Sequence, residues 1–274
     1  IHHCSSYDNN HVPWGSTHEL TWDLTKKYDH ISGLYIWTGF DYLGEPTPFW
    51  WPSRSSFFGI IDLAGIPKDV YYMYQSEWTN KDVLHLFPHW NWDDGQIVDV
   101  WAYYNNADEV ELFVNGKSHG RKSKVDGTYH VMWRIPYEKG TIKAVSYRDN
   151  RKILEKEIKT AGEPVSIRLS ADRKKIKADG KDLSYVMVEV LDDKGLPVPI
   201  AENNIRFSVE GTGSIVGTDN GNPNDSLSLK KPERKLFGGK AVVILQSNEN
   251  EGTIILSAQS EDLKESIIFI ETQK

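Results

Sequence analysis

Residues 33–46, with the sequence GLYIWTGFDYLGEP, contain the clearest structural signal in this chain. They begin as a short apolar run without polar alternation, which is typical of a strand buried on both faces. The run then opens into a loop rich in aromatic, acidic, glycine and proline residues. A (β/α)8 barrel carries its active site in such loops, at the carboxyl ends of its strands. Because aromatic rings stack on the C–H face of a sugar and carboxylates accept its hydroxyl protons, the loop predicts a carbohydrate site.

Residues 36–48 resemble the last barrel strand of family-2 glycoside hydrolases, the group of β-galactosidases and β-glucuronidases. Their sequence, IWTGFDYLGEPTP, is similar to the form found in β-galactosidase-like members of Bacteroidetes type. Three further segments fit the same pattern, namely residues 5–15, 58–65 and 67–78. The resemblance implies that residues 1–79 are the C-terminal segment of a TIM-barrel catalytic domain.

The same resemblance implies that the catalytic groups lie outside this chain. Retaining glycosidases need two carboxylates, an acid/base and a nucleophile. In this family they belong to an Asn-Glu pair on the fourth strand and a Ser-Glu type motif on the seventh, both upstream of the matched motifs. The Asn-Glu and Ser-Glu pairs of this chain lie elsewhere, at residues 248–249, 250–251, 260–261 and 76–77. We therefore expect the C-terminal portion of a β-galactosidase-like enzyme, with no catalytic residue of its own and no activity alone.

Composition limits the class of protein further. The 274 residues suggest two or three domains, and the net charge of −7 argues against nucleic acid or an anionic membrane as partner. The single cysteine, Cys4, excludes an internal disulfide framework. No apolar run reaches the length of a transmembrane helix. With the resemblance, this predicts a periplasmic or secreted protein that acts on carbohydrate and needs no cofactor.

Residues 1–79 have the pattern of the closing unit of a barrel. Residues 16–19, STHE, read as a capping box, and apolar residues at helical spacing predict a helix that ends near His30. Gly33 opens the buried strand, and Pro67 begins a second helix. The apolar stripe of the first helix consists of Leu20, Leu24 and Tyr28. Such a unit cannot close a sheet alone, so we expect it to pack on the missing part of its own barrel.

Residues 80–161 change to the short alternating strands of a β-sandwich. The alternation is clearest in residues 98–104, 110–114 and 131–135. Asn115-Gly116 after an alternating strand is a strong signal for a hairpin. These residues therefore predict a first immunoglobulin-like domain.

Residues 162–274 repeat this pattern and resemble the bacterial immunoglobulin-like domains that follow these hydrolases. The resemblance is carried by residues 165–191 and by the loop of residues 219–223, DNGNP. Strands are predicted around residues 165–169, 186–190, 205–209, 241–245, 253–258 and 266–270. The predicted fold class is mainly β, with two immunoglobulin-like β-sandwiches preceded by the terminal α/β piece of a (β/α)8 barrel.

Four residues of the aromatic loop are the predicted substrate-binding residues. In the family, the residue that matches Trp37 ends the last strand, forms the floor under the sugar and usually precedes a cis peptide bond. Asp41, Tyr42 and Glu45 are expected to bind sugar hydroxyls, although loop carboxylates more often serve turns or salt bridges. The residues 49–51, FWW, either line the aglycone side or pack the loop. Arg54 is expected to anchor the loop through Asp62 or to meet a charged group of the substrate.

Metal binding is not predicted. His85 and His89 lack ligands at zinc spacing, and residues 219–225 resemble a calcium loop only in composition, so a turn explains them better. The alternative function is a carbohydrate-binding or structural immunoglobulin-like module. An exposed aromatic strip on a sandwich, made from Trp90, Trp92 and Trp101, would favour binding, whereas Trp133 is expected to be buried.

Overall fold

The computed structural model describes residues 7–47 and 49–274, which are mainly β with two short helices. The helices are α1 (His18–Lys27) and α2 (Asp69–Trp78). The α1 helix therefore ends slightly earlier than predicted, and α2 begins close to the predicted proline. The predicted mainly β class with two sandwiches is confirmed.

The first sandwich has seven strands in two antiparallel sheets, ordered β1-β2-β5 and β4-β3-β6-β7. Val100, Leu112 and Ala144 are fully buried between the sheets, as the alternation predicts. The predicted hairpin joins β3 to β4, where Asn115 and Gly116 both have positive φ, 49° and 82°. The strands are β1 (Leu84–Phe87), β2 (Ile97–Tyr104), β3 (Glu109–Val114), β4 (Lys117–Lys122), β5 (His130–Pro136), β6 (Thr141–Arg148) and β7 (Arg151–Lys159).

The second sandwich has nine strands, ordered β12-β14-β10-β8 in one sheet and β13-β11-β15-β16-β9 in the other. Its core contains Val188 and Leu245 on one sheet and Leu256 on the other, all fully buried. Every strand predicted in this region is present. The strands are β8 (Ser166–Ala171), β9 (Lys175–Lys177), β10 (Leu183–Leu191), β11 (Asn204–Gly211), β12 (Gly213–Asp219), β13 (Glu233–Lys235), β14 (Lys240–Ser247), β15 (Gly252–Gln259) and β16 (Ser266–Gln273).

The predicted buried strand at residues 33–37 is not formed. These residues have no strand hydrogen bonding, and Tyr35 and Trp37 are exposed while Leu34 and Ile36 are half-buried. The prediction of burial on both faces was therefore wrong for this structure. A barrel strand is buried because neighbouring strands and helices cover it, and the described residues supply cover on one side alone.

The α1 helix is anchored by long-range contacts rather than by the predicted capping box. Its N-cap is Thr17, one residue later than predicted, and the carboxylate of Asp8 accepts the first two helical amides at 2.9 and 2.7 Å. Glu19 does not close a box with the cap. Its carboxylate lies 2.7 Å from Nδ1 of His130 on the first sandwich.

The region before the sandwiches packs on the first of them. The outer face of the β1-β2-β5 sheet presents Phe87, Trp101 and Tyr103, which join Met73 and Tyr74 of α2 in one apolar cluster. This sheet is therefore buried on both faces, one against its partner sheet and one against α2. The side of the region that faces away is open: Leu20, Leu24 and Tyr28 of α1 are 49%, 40% and 44% exposed.

Candidate functional site

Trp37 is held with its ring in the open. The side chain is 72% exposed, and the peptide bond to Thr38 is cis, as the resemblance implies. The backbone on either side is fixed, because Thr38 N donates to Phe58 O at 3.2 Å and Ile60 N donates to Thr38 O at 3.1 Å. An exposed ring on a backbone held from behind is suited to stacking on the apolar face of a ligand.

Tyr42 and Glu45 complete a polar edge beside this ring. The indole Nε1 of Trp37 donates to the hydroxyl of Tyr42 at 3.2 Å, and that hydroxyl donates to the carboxylate of Glu45. The bond to Glu45 raises the pKa of Tyr42, because the carboxylate favours the protonated phenol. We call Trp37, Tyr42 and Glu45 the platform. It combines an aromatic face with hydrogen-bonding groups able to meet sugar hydroxyls.

Asp41 is placed differently from its neighbours. Asp41 is buried, with 8% of the residue exposed. Its carboxylate lies 2.6 Å from Nζ of Lys68, and it accepts hydrogen bonds from Gly59 N at 2.8 Å and from Ser56 Oγ at 3.2 Å. Both oxygens are thus bonded within the protein. Gly59 allows this approach, since a Cβ there would lie 2.2 Å from Asp41 N. In this geometry Asp41 shapes the loop, and a sugar would have to compete with these partners to reach it.

The other aromatic residues of the loop divide into two kinds. Phe49 packs on Phe57 with ring centroids 4.4 Å apart. Trp50 and Trp51 are 88% and 77% exposed, so their rings do not pack the loop.

The predicted anchoring of the loop by an ion pair between Arg54 and Asp62 was wrong. No such pair joins these two residues, both of which the structure describes, and Nε of Arg54 is buried without a hydrogen-bond partner. Asp62 instead accepts from Ile66 N at 2.8 Å in its own turn. The loop is anchored through its backbone, since Arg54 N donates to Pro223 O of the second sandwich at 2.9 Å. Sequence reasoning gave no signal for this contact.

The loop of residues 219–225 is a turn stabilised by its own side chains. Asp219 Oδ1 accepts the amides of residues 220 and 221, each at 2.7 Å. Asp225 lies 2.8 Å from the guanidinium of the fully buried Arg234. Within residues 7–47 and 49–274, no group of three or more metal-ligating side chains is present. The same residues contain no helix that is long and apolar enough to cross a membrane.

The tryptophans that would favour the alternative function do not form an exposed strip. Trp90 is fully buried and Trp101 is 8% exposed, while Trp92 is half-buried against the core of the first sandwich. The rings of Trp101 and His130 stack in parallel, with their centroids 3.6 Å apart. Trp133 is buried, as predicted.

Two sequence families match the chain. The family described as Glycoside hydrolase family 2 C-terminal domain 5 matches residues 167–268, in the second sandwich. A domain of unknown function, DUF4982, matches residues 95–154, in the first. The platform lies outside both matches.

Two relatives illustrate the similarity over nearly the whole chain. The beta-galactosidase BoGH2A of Bacteroides ovatus is 56% identical over 99% of this chain, which covers 32% of that protein. A putative beta-glucuronidase of Formosa agariphila is 35% identical over 93% of this chain, which covers 25% of that protein. The chain thus spans a third or less of the length of these relatives.

Solved structures agree with the sequence comparisons. A beta-glycosidase from Bacteroides vulgatus has a TM-score of 0.90 and 37% identity, with 97% of this chain and 34% of that chain covered. A glycosyl hydrolase family 2 member from Bacteroides cellulosilyticus has a TM-score of 0.85 and 31% identity, with 92% of this chain and 37% of that chain covered. The similarity therefore includes the region of the platform as well as both sandwiches.

Proposed function

Because this chain belongs to glycoside hydrolase family 2, within the C-terminal region of these enzymes, we propose that it supplies the sugar platform of a retaining β-glycosidase. The proposed reaction is hydrolysis of terminal β-linked sugars, with β-galactosides as the favoured substrates. The preference for galactosides is supported by the 56% identity to a beta-galactosidase. A β-glucuronide is the second candidate, supported by the 35% identity to a putative beta-glucuronidase.

One observation carries the proposal, namely the exposed ring of Trp37 joined to Tyr42 and Glu45 at the end of a barrel-type segment. The ring offers a stacking surface for the sugar. The carboxylate of Glu45 accepts the one phenol hydrogen of Tyr42 and keeps further lone pairs that can accept from the hydroxyls of the sugar. Asp41 enters as a positioning residue, because its carboxylate holds Gly59 and Lys68 behind the platform.

The catalytic carboxylates are proposed to lie outside this chain. A retaining enzyme needs two carboxyl groups about 5–5.5 Å apart and facing the substrate. Next to Trp37, Asp41 is buried in a salt bridge, and the carboxylate of Glu45 is engaged by Tyr42. The chain is therefore expected to hydrolyse nothing alone. Its proposed location is periplasmic or secreted, which cell fractionation with an antibody to this chain would test.

The experiment is a comparison of the full-length enzyme with its Trp37→Ala variant on nitrophenyl β-galactoside and β-glucuronide. Loss of the stacking contact between this exposed ring and the sugar is expected to lower kcat/KM by about 10- to 100-fold. Trp37→Phe should recover part of the activity, because a smaller ring still stacks. Phe269→Ala, which removes an exposed aromatic ring from β16, is the matched control and should leave kcat/KM unchanged.

Two results would contradict the proposal. The first is an unchanged kcat/KM in the Trp37→Ala enzyme. The second is turnover by the purified 274-residue chain that disappears when one of its own acids is replaced, since this would place the catalytic pair within the chain.

A further inference from the structure

A loop of the second sandwich contacts the region of the platform, although the contacting residues Ser53 and Asn224 are 171 positions apart in sequence. We call residues 219–225 the junction loop. Ser53 Oγ donates to Oδ1 of Asn224 at 2.5 Å, and Arg54 N donates to Pro223 O at 2.9 Å. The carboxylate of Asp62 fills the space beside Gly221, where a Cβ would lie 2.1 Å from Oδ2. Three contacts thus join this loop to residues 53–62.

The junction loop is rigid on its own side. Its turns are closed by side chains that accept backbone amides: Asp219 accepts from residues 220 and 221, and Asn222 Oδ1 accepts from Asn224 N at 2.9 Å. Arg234 has no exposed side chain, and its guanidinium donates to Asp225, Thr218, Leu227 and Ser228. A loop fixed by its own hydrogen bonds and a buried cation can hold another segment in place.

From this loop, hydrogen bonds and short stretches of backbone lead to the platform. Arg54 O accepts from Gly44 N at 2.7 Å. Ser56 N donates to Tyr42 O at 2.9 Å, and Ser56 Oγ accepts from Tyr42 N at 3.1 Å. The hydroxyl of Tyr42 then joins Trp37 and Glu45. Residues 42–44 and 54–56 are thus paired by three hydrogen bonds, which connect the junction loop to the backbone of Tyr42.

We propose that the junction loop, through Asn224 and Pro223, positions the platform and so sets the affinity of the enzyme for its sugar. The second sandwich is then part of the binding site, and Asn224 is a positioning residue that touches no substrate. The part of this inference that concerns sugar affinity rests on the proposed function. The part that concerns the order of residues 42–56 does not.

The first test is hydrogen exchange on the 274-residue chain. Asn224→Ala removes the acceptor of Ser53, and loss of one hydrogen bond of about 1 kcal/mol is expected to speed exchange of the Gly44, Arg54 and Ser56 amides about fivefold. Asn224→Asp keeps an oxygen acceptor and should restore slow exchange. Asn250→Ala, at an exposed asparagine of the same sandwich, is the control and should change none of these amides. Unchanged exchange in Asn224→Ala would overturn the inference, even if its Tm fell.

The second test is steady-state kinetics of the full-length enzyme on nitrophenyl β-galactoside and β-glucuronide. Asn224→Ala is expected to raise KM about fivefold with kcat within about twofold, because a looser platform weakens binding in the ground and transition states alike. Asn224→Asp should return KM toward the original value. An unchanged KM despite faster exchange would overturn the link to affinity. A wild-type enzyme inactive on both substrates would defeat the proposed function, while the exchange result would still decide whether the junction loop orders the platform.

Discussion

The region before residue 80 and the two sandwiches differ in how far their large apolar side chains are buried. In the sandwiches, the core positions of both sheets are fully buried, as at Val100 and Val188. In the first region, Tyr35 is fully exposed, and Trp37 and Trp50 are 72% and 88% exposed. Scattered exposed apolar residues are ordinary, but a concentration of large ones marks a surface built for contact. The sandwiches complete their own cores, and the first region does not.

The difference teaches how fold and function are divided along the chain. A sandwich becomes stable by closing two sheets on each other, so its sequence alternates and its core is self-contained. The first region is stabilised from one side, by the outer face of the β1-β2-β5 sheet. On its other side, Leu20, Leu24 and Tyr28 stay exposed to solvent.

The largest expected effect contrasts two tryptophans. Trp90 is fully buried, and its Nε1 donates to Glu138 O at 2.9 Å, so Trp90→Ala should cost about 3–5 kcal/mol in the free energy of unfolding. Trp37→Ala should change it by less than about 0.5 kcal/mol, because the ring is largely exposed. Urea unfolding of the 274-residue chain, followed by circular dichroism, measures both. Similar costs for the two variants would break the contrast.

A second prediction concerns Asp62, where the first region meets the second sandwich. Burial raises its pKa to about 6, against the opposing effects of Ile66 N and Lys68, and with a smaller contribution from Asp219. Because the folded-state pKa lies above the unfolded value of 3.8, this group's contribution to stability falls as pH rises from about 4 to about 6 and is constant above. Asp62→Asn should therefore be more stable than the original chain above pH 7, by on the order of 3 kcal/mol at most.

The pH dependence of this difference is the decisive measurement for Asp62. Asparagine keeps an oxygen acceptor for Ile66 N, which leaves charge as the main change. Thermal unfolding of both proteins between pH 4 and pH 8 should show the gain in Tm shrinking as the pH falls. A gain that is the same at both ends, or a loss above pH 7, would contradict the assignment.

The smallest expected effect concerns the exposed face of α1. Leu24 of α1 is 40% exposed, so Leu24→Ser should change the unfolding free energy of the 274-residue chain by less than about 0.5 kcal/mol. In the full-length enzyme, where barrel neighbours are proposed to cover this face, the same variant should lower Tm clearly. Leu112→Ser, in the fully buried core of the first sandwich, is the control and should be strongly destabilising in both proteins. Equal small effects of Leu24→Ser in both would show that nothing covers the face.

Local sequence pattern was enough to predict most of the sandwiches. Strands such as β2 and β10 have apolar residues at every second position because that face is buried. The hairpin was predictable because its turn needs positive φ at two residues, which Asn115-Gly116 readily adopts. The β4 strand, with the sequence KSHGRK, was missed because it is a largely exposed edge strand with no apolar face to reveal it.

The candidate site was predictable in composition but only partly in geometry. The sequence indicated Trp37, Tyr42 and Glu45, and the structure brings these three together. Whether they bind a sugar stays a prediction. The inward placement of Asp41 depends on Lys68, which lies 27 positions further along, and the junction contacts depend on residues 171 apart. Such contacts are determined by tertiary packing, so the spacing of residues along the chain does not predict them.

The two-sided burial of the β1-β2-β5 sheet has a consequence for protein engineering. A gene fusion cut at residue 80 would strip α2 from the sheet and leave Phe87, Trp101 and Tyr103 facing water. Such a product invites aggregation even though its own sandwich core is intact. Transplantation of this sandwich into another enzyme should therefore include α2, so the unit to exchange begins before residue 80.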